Sequence, residues 1–90
     1  MFSISITVSG KVQGVYYRQS TKEMAISLGI TGQVKNLKDG SVFIIATGIK
    51  EQLDKLVDWC RQGPSKANVT SLVIEELPFQ EFGKFSIERF

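Results

Sequence analysis

The segment from Gly10 to Arg18 carries the residues best suited to chemistry. It reads Gly-Lys-Val-Gln-Gly-Val-Tyr-Tyr-Arg and joins a predicted strand to a predicted helix, with Gly14 inside the turn. Backbone N–H groups at a helix start have no intrahelical acceptor and lie at the positive end of the helix dipole, so such a turn can surround a phosphate. Arg18 adds a planar guanidinium that matches phosphate oxygens. The segment predicts an anion site, although a plain connector with a solvated arginine is the alternative.

Asn36 is the second candidate, and it lies three residues before the pair Asp39-Gly40. That pair is a hairpin signal between two predicted strands. Asparagine is common beside hairpins because its side chain bonds local backbone and tolerates unusual dihedrals. Gly32, on the same predicted strand, fits a bulge or a close backbone approach. Taken alone, both residues favour a structural role.

The chain has one cysteine and no histidine. This composition excludes disulfide scaffolds, Cys/His zinc sites and every mechanism that needs an imidazole base. The cysteine, Cys60, falls on the apolar face of a predicted helix, which favours a buried structural thiol over a reactive one. Any catalysis must therefore use other groups, and no metal site is expected.

Charge is unevenly distributed along the chain. Before Asp39 there are five basic residues and one acidic residue, whereas from Asp39 onward eight acidic residues face six basic ones. The basic half indicates an anionic partner, or else a solvated basic surface.

The apolar pattern predicts an alternation of strands and helices. The predicted strands cover residues 2–9, 30–36, 41–47, 68–77 and 82–89, the last with Phe85, Ile87 and Phe90 as its apolar positions. Helical spacing of apolar residues predicts one helix from Tyr17 to a stop at Gly29 and another from Ile49 to Gly63. The order βαββαβ plus a C-terminal strand predicts an α+β fold, the ferredoxin-like α/β sandwich, with an antiparallel sheet and two helices on one face.

The length of 90 residues predicts one domain spanning 1–90. The polar and apolar residues alternate from Ser3 to Val8, which is not the pattern of a signal peptide or a membrane span. We therefore expect a cytoplasmic protein that does not bind membranes.

Together the motifs resemble those of the acylphosphatase family. The run from Gly10 to Arg18 is similar to the family's first signature, and the match continues in order along essentially the whole chain. The second signature is matched by Gly32, Val34, Asn36, Asp39, Gly40 and Val42, and a weaker third one by Gly63, Pro64, Ala67 and Val69.

This resemblance implies the same ferredoxin-like fold and hydrolysis of the carboxyl-phosphate bond of acyl phosphates. By resemblance, the enzyme uses no metal or cofactor and releases inorganic phosphate. We also expect it to be a monomer. Arg18 corresponds to the family's phosphate-binding arginine and Asn36 to its water-positioning asparagine. The phosphate loop corresponds to Gln13, Gly14, Val15, Tyr16 and Tyr17.

Three positions depart from the family pattern. Tyr17 stands where phenylalanine is frequent, Gln33 where an aromatic residue is common, and Lys35 where arginine is frequent. Gln33 is the departure expected to alter the pocket rim and the preferred acyl group. None of the three replaces Arg18 or Asn36.

The same sandwich also serves nucleic-acid-binding modules, which are the main rival. Strand 41–47 holds Phe43 as its single aromatic residue and lacks the basic and aromatic pattern of RNA-binding strands, so no nucleic acid partner is expected. A third reading is an anion sensor or a detached acylphosphatase-like domain of a larger carbamoyl-transferring protein. The end of the sequence at Phe90 favours a free-standing enzyme.

Overall fold

A computed structural model describes residues 1–89 of the chain. It contains five strands and two helices in the predicted order. The strands are β1 (Phe2–Lys11), β2 (Thr31–Asn36), β3 (Val42–Gly48), β4 (Asn68–Leu77) and β5 (Phe85–Ile87). The helices are α1 (Tyr17–Ser27) and α2 (Lys50–Gln62). The ferredoxin-like sandwich predicted from the sequence is confirmed.

The five strands form one sheet in the order β4-β1-β3-β2-β5. Strands β4, β1, β3 and β2 pair in antiparallel fashion, as expected. The short edge strand β5 instead runs parallel to β2, so the sheet is mixed rather than wholly antiparallel. It also covers three residues where the sequence predicted 82–89, and the predicted position of Phe90 lies outside the described residues.

The hydrophobic core lies between one face of the sheet and the two helices. Alternate residues of β1, namely Ile4, Ile6 and Val8, point into it. They pack in one cluster with residues from both helices, among them Ala25 of α1 and Leu56 of α2. The apolar side chains alternate as the sequence predicts, but Ser3 and Ser5 between them are buried as well, so both faces of β1 are covered there.

The other face of the sheet is crossed by the segment 78–84, which leads from β4 at one edge to β5 at the other. Hydrogen bonds hold this segment to the two central strands. The hydroxyl of Thr47 donates to the carbonyl of Gln80 at 2.8 Å, and the backbone N–H of Gln80 donates to the hydroxyl of Ser3 at 2.9 Å. The oxygens of the two hydroxyls lie 2.6 Å apart. The crossing explains how β5 comes to run parallel to β2.

Strand β2 passes unusually close to β3 at Gly32. A Cβ atom placed there would lie 1.9 Å from the carbonyl oxygen of Ile45, and Gly32 has a φ of +143°. The close backbone approach expected of this glycine is therefore present. It holds β2 tightly against β3 four residues before Asn36, where the strand ends.

No helix among the described residues is long and apolar enough to cross a membrane.

Candidate active site

The turn between β1 and α1 curls through two left-handed residues. Gly14 has a φ of +73° and Tyr16 a φ of 67°. A Cβ atom at Gly14 would meet nothing within 4 Å, so the backbone there faces open space that a ligand can approach. Successive N–H groups in such a turn form a concave surface suited to anions.

Helix α1 begins directly after this turn with its first N–H groups free of side-chain caps. Tyr16 is the N-cap residue and makes no side-chain capping bond, and the first turn of α1 contains no acidic residue. Serine, threonine, aspartate or asparagine usually fills the capping role. The uncapped N–H groups are therefore available to an anion from solvent.

A cavity of about 400 Å³ opens beside the turn, and both candidate side chains, Arg18 and Asn36, line it. The predicted residues that line the cavity are Gln13, Gly14, Tyr16, Tyr17, Arg18 and Asn36. Val15 is the exception, because its side chain is buried in the hydrophobic core. Only the backbone of Val15 is available to a phosphate.

Asn36 enters the cavity from the end of β2. Its Oδ1 atom is buried and accepts no hydrogen bond from any described residue. A buried acceptor left without a donor costs about 1–3 kcal/mol. Asn36 therefore does not use this oxygen to bond the hairpin backbone, as a structural asparagine would. The hairpin is instead closed by Asp39, whose carboxylate accepts from the hydroxyl and backbone N–H of Ser41; these bonds lower the pKa of Asp39.

Tyr17 lines the cavity but directs its hydroxyl into the protein. The hydroxyl donates to the backbone carbonyl of Cys60 at 2.7 Å, and the ring lies 5.5 Å from that of Trp59. Burial raises the pKa of Tyr17 far above its usual value and that of Cys60 to about 12. Both groups stay neutral at physiological pH, so Tyr17 anchors α1 to α2 and Cys60 is the structural thiol that was expected.

The side chain of Gln13 is also directed away from a bound anion. Its Nε2 donates to the carbonyl of Leu37 at 2.8 Å and to the carbonyl of Ser41 at 2.9 Å. A primary amide has two N–H donors, and both are used here. Gln13 therefore has its backbone N–H, rather than its side-chain N–H groups, to offer to a phosphate.

Four lining residues were missed by sequence reasoning: Val12, Gln19, Ile87 and Arg89. The parallel register of the edge strand explains the last two. It pairs Val34 of β2 with Ile87, which brings Glu88 and Arg89 to the end of the sheet where Asn36 lies. Recognising β5 as parallel to β2 would have revealed Arg89.

The departure from the family pattern at Gln33 does not reach the cavity. The lining residues that the structure describes do not include Gln33, which neighbours the inward-facing Val34 and so points to the opposite face of the sheet. They include no carboxylate either, whereas Arg18 and Arg89 both contribute. The cavity is thus suited to an anionic ligand.

Within residues 1–89, no group of three or more histidine, cysteine, aspartate or glutamate side chains could hold a metal ion.

Comparison with known proteins identifies the family. The family model described as acylphosphatase matches residues 4–87. The chain belongs to the acylphosphatase family. An acylphosphatase of Marinobacter nauticus is 53% identical over 81 residues, which cover 89% of this chain and 88% of that protein. The predicted enzyme class, an acylphosphatase and thus a hydrolase, is confirmed.

Solved acylphosphatases share the fold over nearly their whole length. The structure from Coxiella burnetii is 38% identical and has a TM-score of 0.94, covering 97% of this chain and 92% of that chain. The structure from Bacillus subtilis is 32% identical and has a TM-score of 0.95, covering 98% and 99%. The match therefore extends over both the sheet and the elements that surround the cavity.

Proposed function

We propose that this acylphosphatase hydrolyses acyl phosphates without a metal ion or organic cofactor, with Arg18 and the loop 13–17 binding the phosphoryl group and Asn36 positioning water. The observation that carries this assignment is the cavity itself. It brings together Arg18, the uncapped start of α1 and Asn36, whose buried Oδ1 has no partner among the described residues. The first two suit a dianionic phosphate, and the third suits a water molecule.

The reaction needs few groups because its leaving group is a good one. Water attacks phosphorus, the bond between phosphorus and the carboxyl oxygen breaks, and a carboxylate departs with the electron pair. Its conjugate acid has a pKa of roughly 4 to 5, so no general acid is needed. Phosphoryl transfer depends on positioning and charge stabilisation, which a guanidinium, backbone N–H groups and an amide can supply.

A rotation of the Asn36 amide would turn the buried Oδ1 towards the cavity, where it would accept a hydrogen bond from the attacking water. This contact supplies the donor that the buried oxygen lacks and aims the water at phosphorus. The proton that the water loses passes to a phosphate oxygen of the substrate, because the lining residues within 1–89 include no carboxylate or imidazole base. The products are a carboxylate and inorganic phosphate.

The remaining expectations are part of the same proposal: one domain over residues 1–90, a monomer, a cytoplasmic location and no nucleic acid partner. The family match over residues 4–87 supports the first. Two features of the open sheet face support the absence of a nucleic acid partner. Segment 78–84 crosses that face, and the ammonium of Lys35 lies 5.9 Å from the ring centre of Phe43. RNA-recognition sheets need that face free for stacked bases.

The direct test is release of phosphate from benzoyl phosphate in the presence of a chelator. We expect full activity, and we expect inorganic phosphate to inhibit competitively because it would occupy the same anion site. Activity that disappears with chelator and returns with a divalent ion would refute the metal-free mechanism. Non-competitive inhibition would place the phosphate site outside this cavity.

A further inference from the structure

The amide of Gln13 joins two segments that are distant in sequence. Gln13 lies in the turn after β1, whereas its two acceptors belong to the hairpin between β2 and β3. The separations are 24 and 28 residues, and the bonds of 2.8 and 2.9 Å are partly buried. Such bonds are short enough and sheltered enough to fix one segment relative to the other.

The acceptors of Gln13 are the two carbonyls at the base of the hairpin. The backbone N–H of Leu37 donates to the carbonyl of Ser41 at 2.8 Å, and that of Gly40 donates to the carbonyl of Leu37 at 3.2 Å. Both carbonyls therefore already close the hairpin internally. Gln13 donates a second hydrogen bond to each carbonyl and so binds the base of the hairpin at two points.

Asn36 immediately precedes this unit. Since no described residue donates to its Oδ1, the position of that atom depends on where the backbone of β2 ends. Gln13 ties that backbone to the turn that leads into Arg18. The distance between the phosphate-binding group and the water-positioning group is therefore set in part by one glutamine side chain.

We propose that Gln13 is a positioning residue, whose side-chain amide fixes Asn36 relative to the phosphate loop without itself contacting the substrate. This inference rests on the proposed function, because it assigns Gln13 an effect that acts through Asn36. The proposal assigns phosphate binding and the rate of the chemical step to different groups. Phosphate binding depends on Arg18 and the loop backbone, whereas the rate of the chemical step depends on the alignment that Gln13 maintains.

The test uses Gln13→Ala and Gln13→Met, since methionine keeps most of the volume and removes the two donors. We expect both to lower kcat by roughly 10- to 100-fold, the cost of misplacing a reacting group by about 1 Å. The inhibition constant for phosphate should change less than about twofold. Ser3→Ala is the matched control, because it also removes side-chain hydrogen bonds between distant segments but lies outside the lining of the cavity.

A merely structural role would lower the melting temperature in all three variants and leave kcat of the folded protein unchanged. That result would overturn the proposal. A loss of phosphate affinity in Gln13→Met equal to its loss in kcat would also overturn it, because Gln13 would then serve binding rather than alignment.

A double-mutant cycle separates this inference from the proposed function. If Gln13 acts through Asn36, then Gln13→Met should lower kcat less than about twofold in an Asn36→Ala background. An equal loss in both backgrounds would show that Gln13 acts independently of Asn36. The proposed function fails separately, if Asn36→Ala alone keeps full activity. If Gln13→Met then still loses activity, Gln13 does not act through Asn36 and the inference is overturned as well.

Discussion

Two concave surfaces formed by residues 1–89 differ in charge, and the smaller one is the proposed active site. A groove of about 670 Å³ lies between α2, β1 and β4, whereas the cavity beside the phosphate loop measures about 400 Å³. The groove mixes charges of both signs, and its Lys50 and Asp54 already pair at 3.1 Å. The cavity has two arginines and no carboxylate in its described lining. Unbalanced charge and an unpartnered polar atom, rather than volume, distinguish the proposed active site from the groove.

Arg18→Lys should lower the activity of the cavity more than any other change considered. Lysine keeps the positive charge but loses the planar fork, so both phosphate binding and transition-state stabilisation should suffer. We expect kcat/KM for benzoyl phosphate to fall by roughly 10³-fold or more, with weaker inhibition by phosphate. A variant that keeps most of its activity would mean that charge alone makes the cavity functional.

Asn36→Ala should have the next largest effect and should be confined to turnover. Removing one positioned polar group typically lowers kcat by about 10²- to 10³-fold. Phosphate inhibition should hardly change, since Asn36 is assigned to water. A hairpin role predicts instead near-normal turnover with a stability loss of about 1 kcal/mol or less. Measuring kcat and the melting temperature on one preparation distinguishes the two.

The buried contact between Tyr17 and Cys60 should make the protein sensitive to alkali. Tyr17 lines the cavity and bonds to Cys60 on α2, and burial raises the pKa of both groups in the folded state. Their unfolded values are about 10 and 8.5. Their contribution to stability is therefore complete below about pH 8.5 and declines as the pH rises from there towards the folded value of about 12 for Cys60.

We expect the melting temperature to be flat from pH 6 to 8 and to fall by at least about 5 °C between pH 8.5 and 11. Thermal unfolding followed by circular dichroism measures this. Tyr17→Phe, which removes one titrating group, should show a smaller fall above pH 10. An unchanged melting temperature up to pH 11 would contradict the buried, neutral state of both groups.

Asp54→Asn tests the groove and should have the smallest effect. The salt bridge with Lys50 is largely exposed, and such pairs contribute little to stability. We expect kcat/KM to change less than twofold. A tenfold change would show that the groove communicates with the cavity, and the contrast between the two surfaces would then fail.

Sequence reasoning reached most of the site because its signals are local. The glycine inside the turn, the arginine at the helix start and the asparagine before a hairpin all act within a few residues of their position. Apolar periodicity likewise predicted the order of the elements. These features depend on backbone dihedrals and on the burial of one face, which neighbouring residues determine.

Local patterns do not predict contacts between residues that are far apart in the sequence. Alternation does not reveal the direction of an edge strand, so β5 was expected to be antiparallel and Arg89 was missed. The partners of the Gln13 amide are 24 and 28 residues away, so no local pattern indicates them. In the sequence Val15 looks like a loop residue. Its burial depends on how the core packs around it, which the sequence pattern does not show.

The crossing of the open sheet face by segment 78–84 has a consequence for local stability. Strand β5 has three residues, and it reaches its place beside β2 only after that segment has spanned the sheet. The connection is short, so its closure costs little; a three-residue edge strand makes few backbone bonds, and the core residue Phe85 also holds β5 in place. Detachment of β5 would remove Ile87 and Arg89 from the cavity while leaving the four antiparallel strands paired. That wall of the cavity therefore depends on a three-residue strand and on the buried side chain of Phe85.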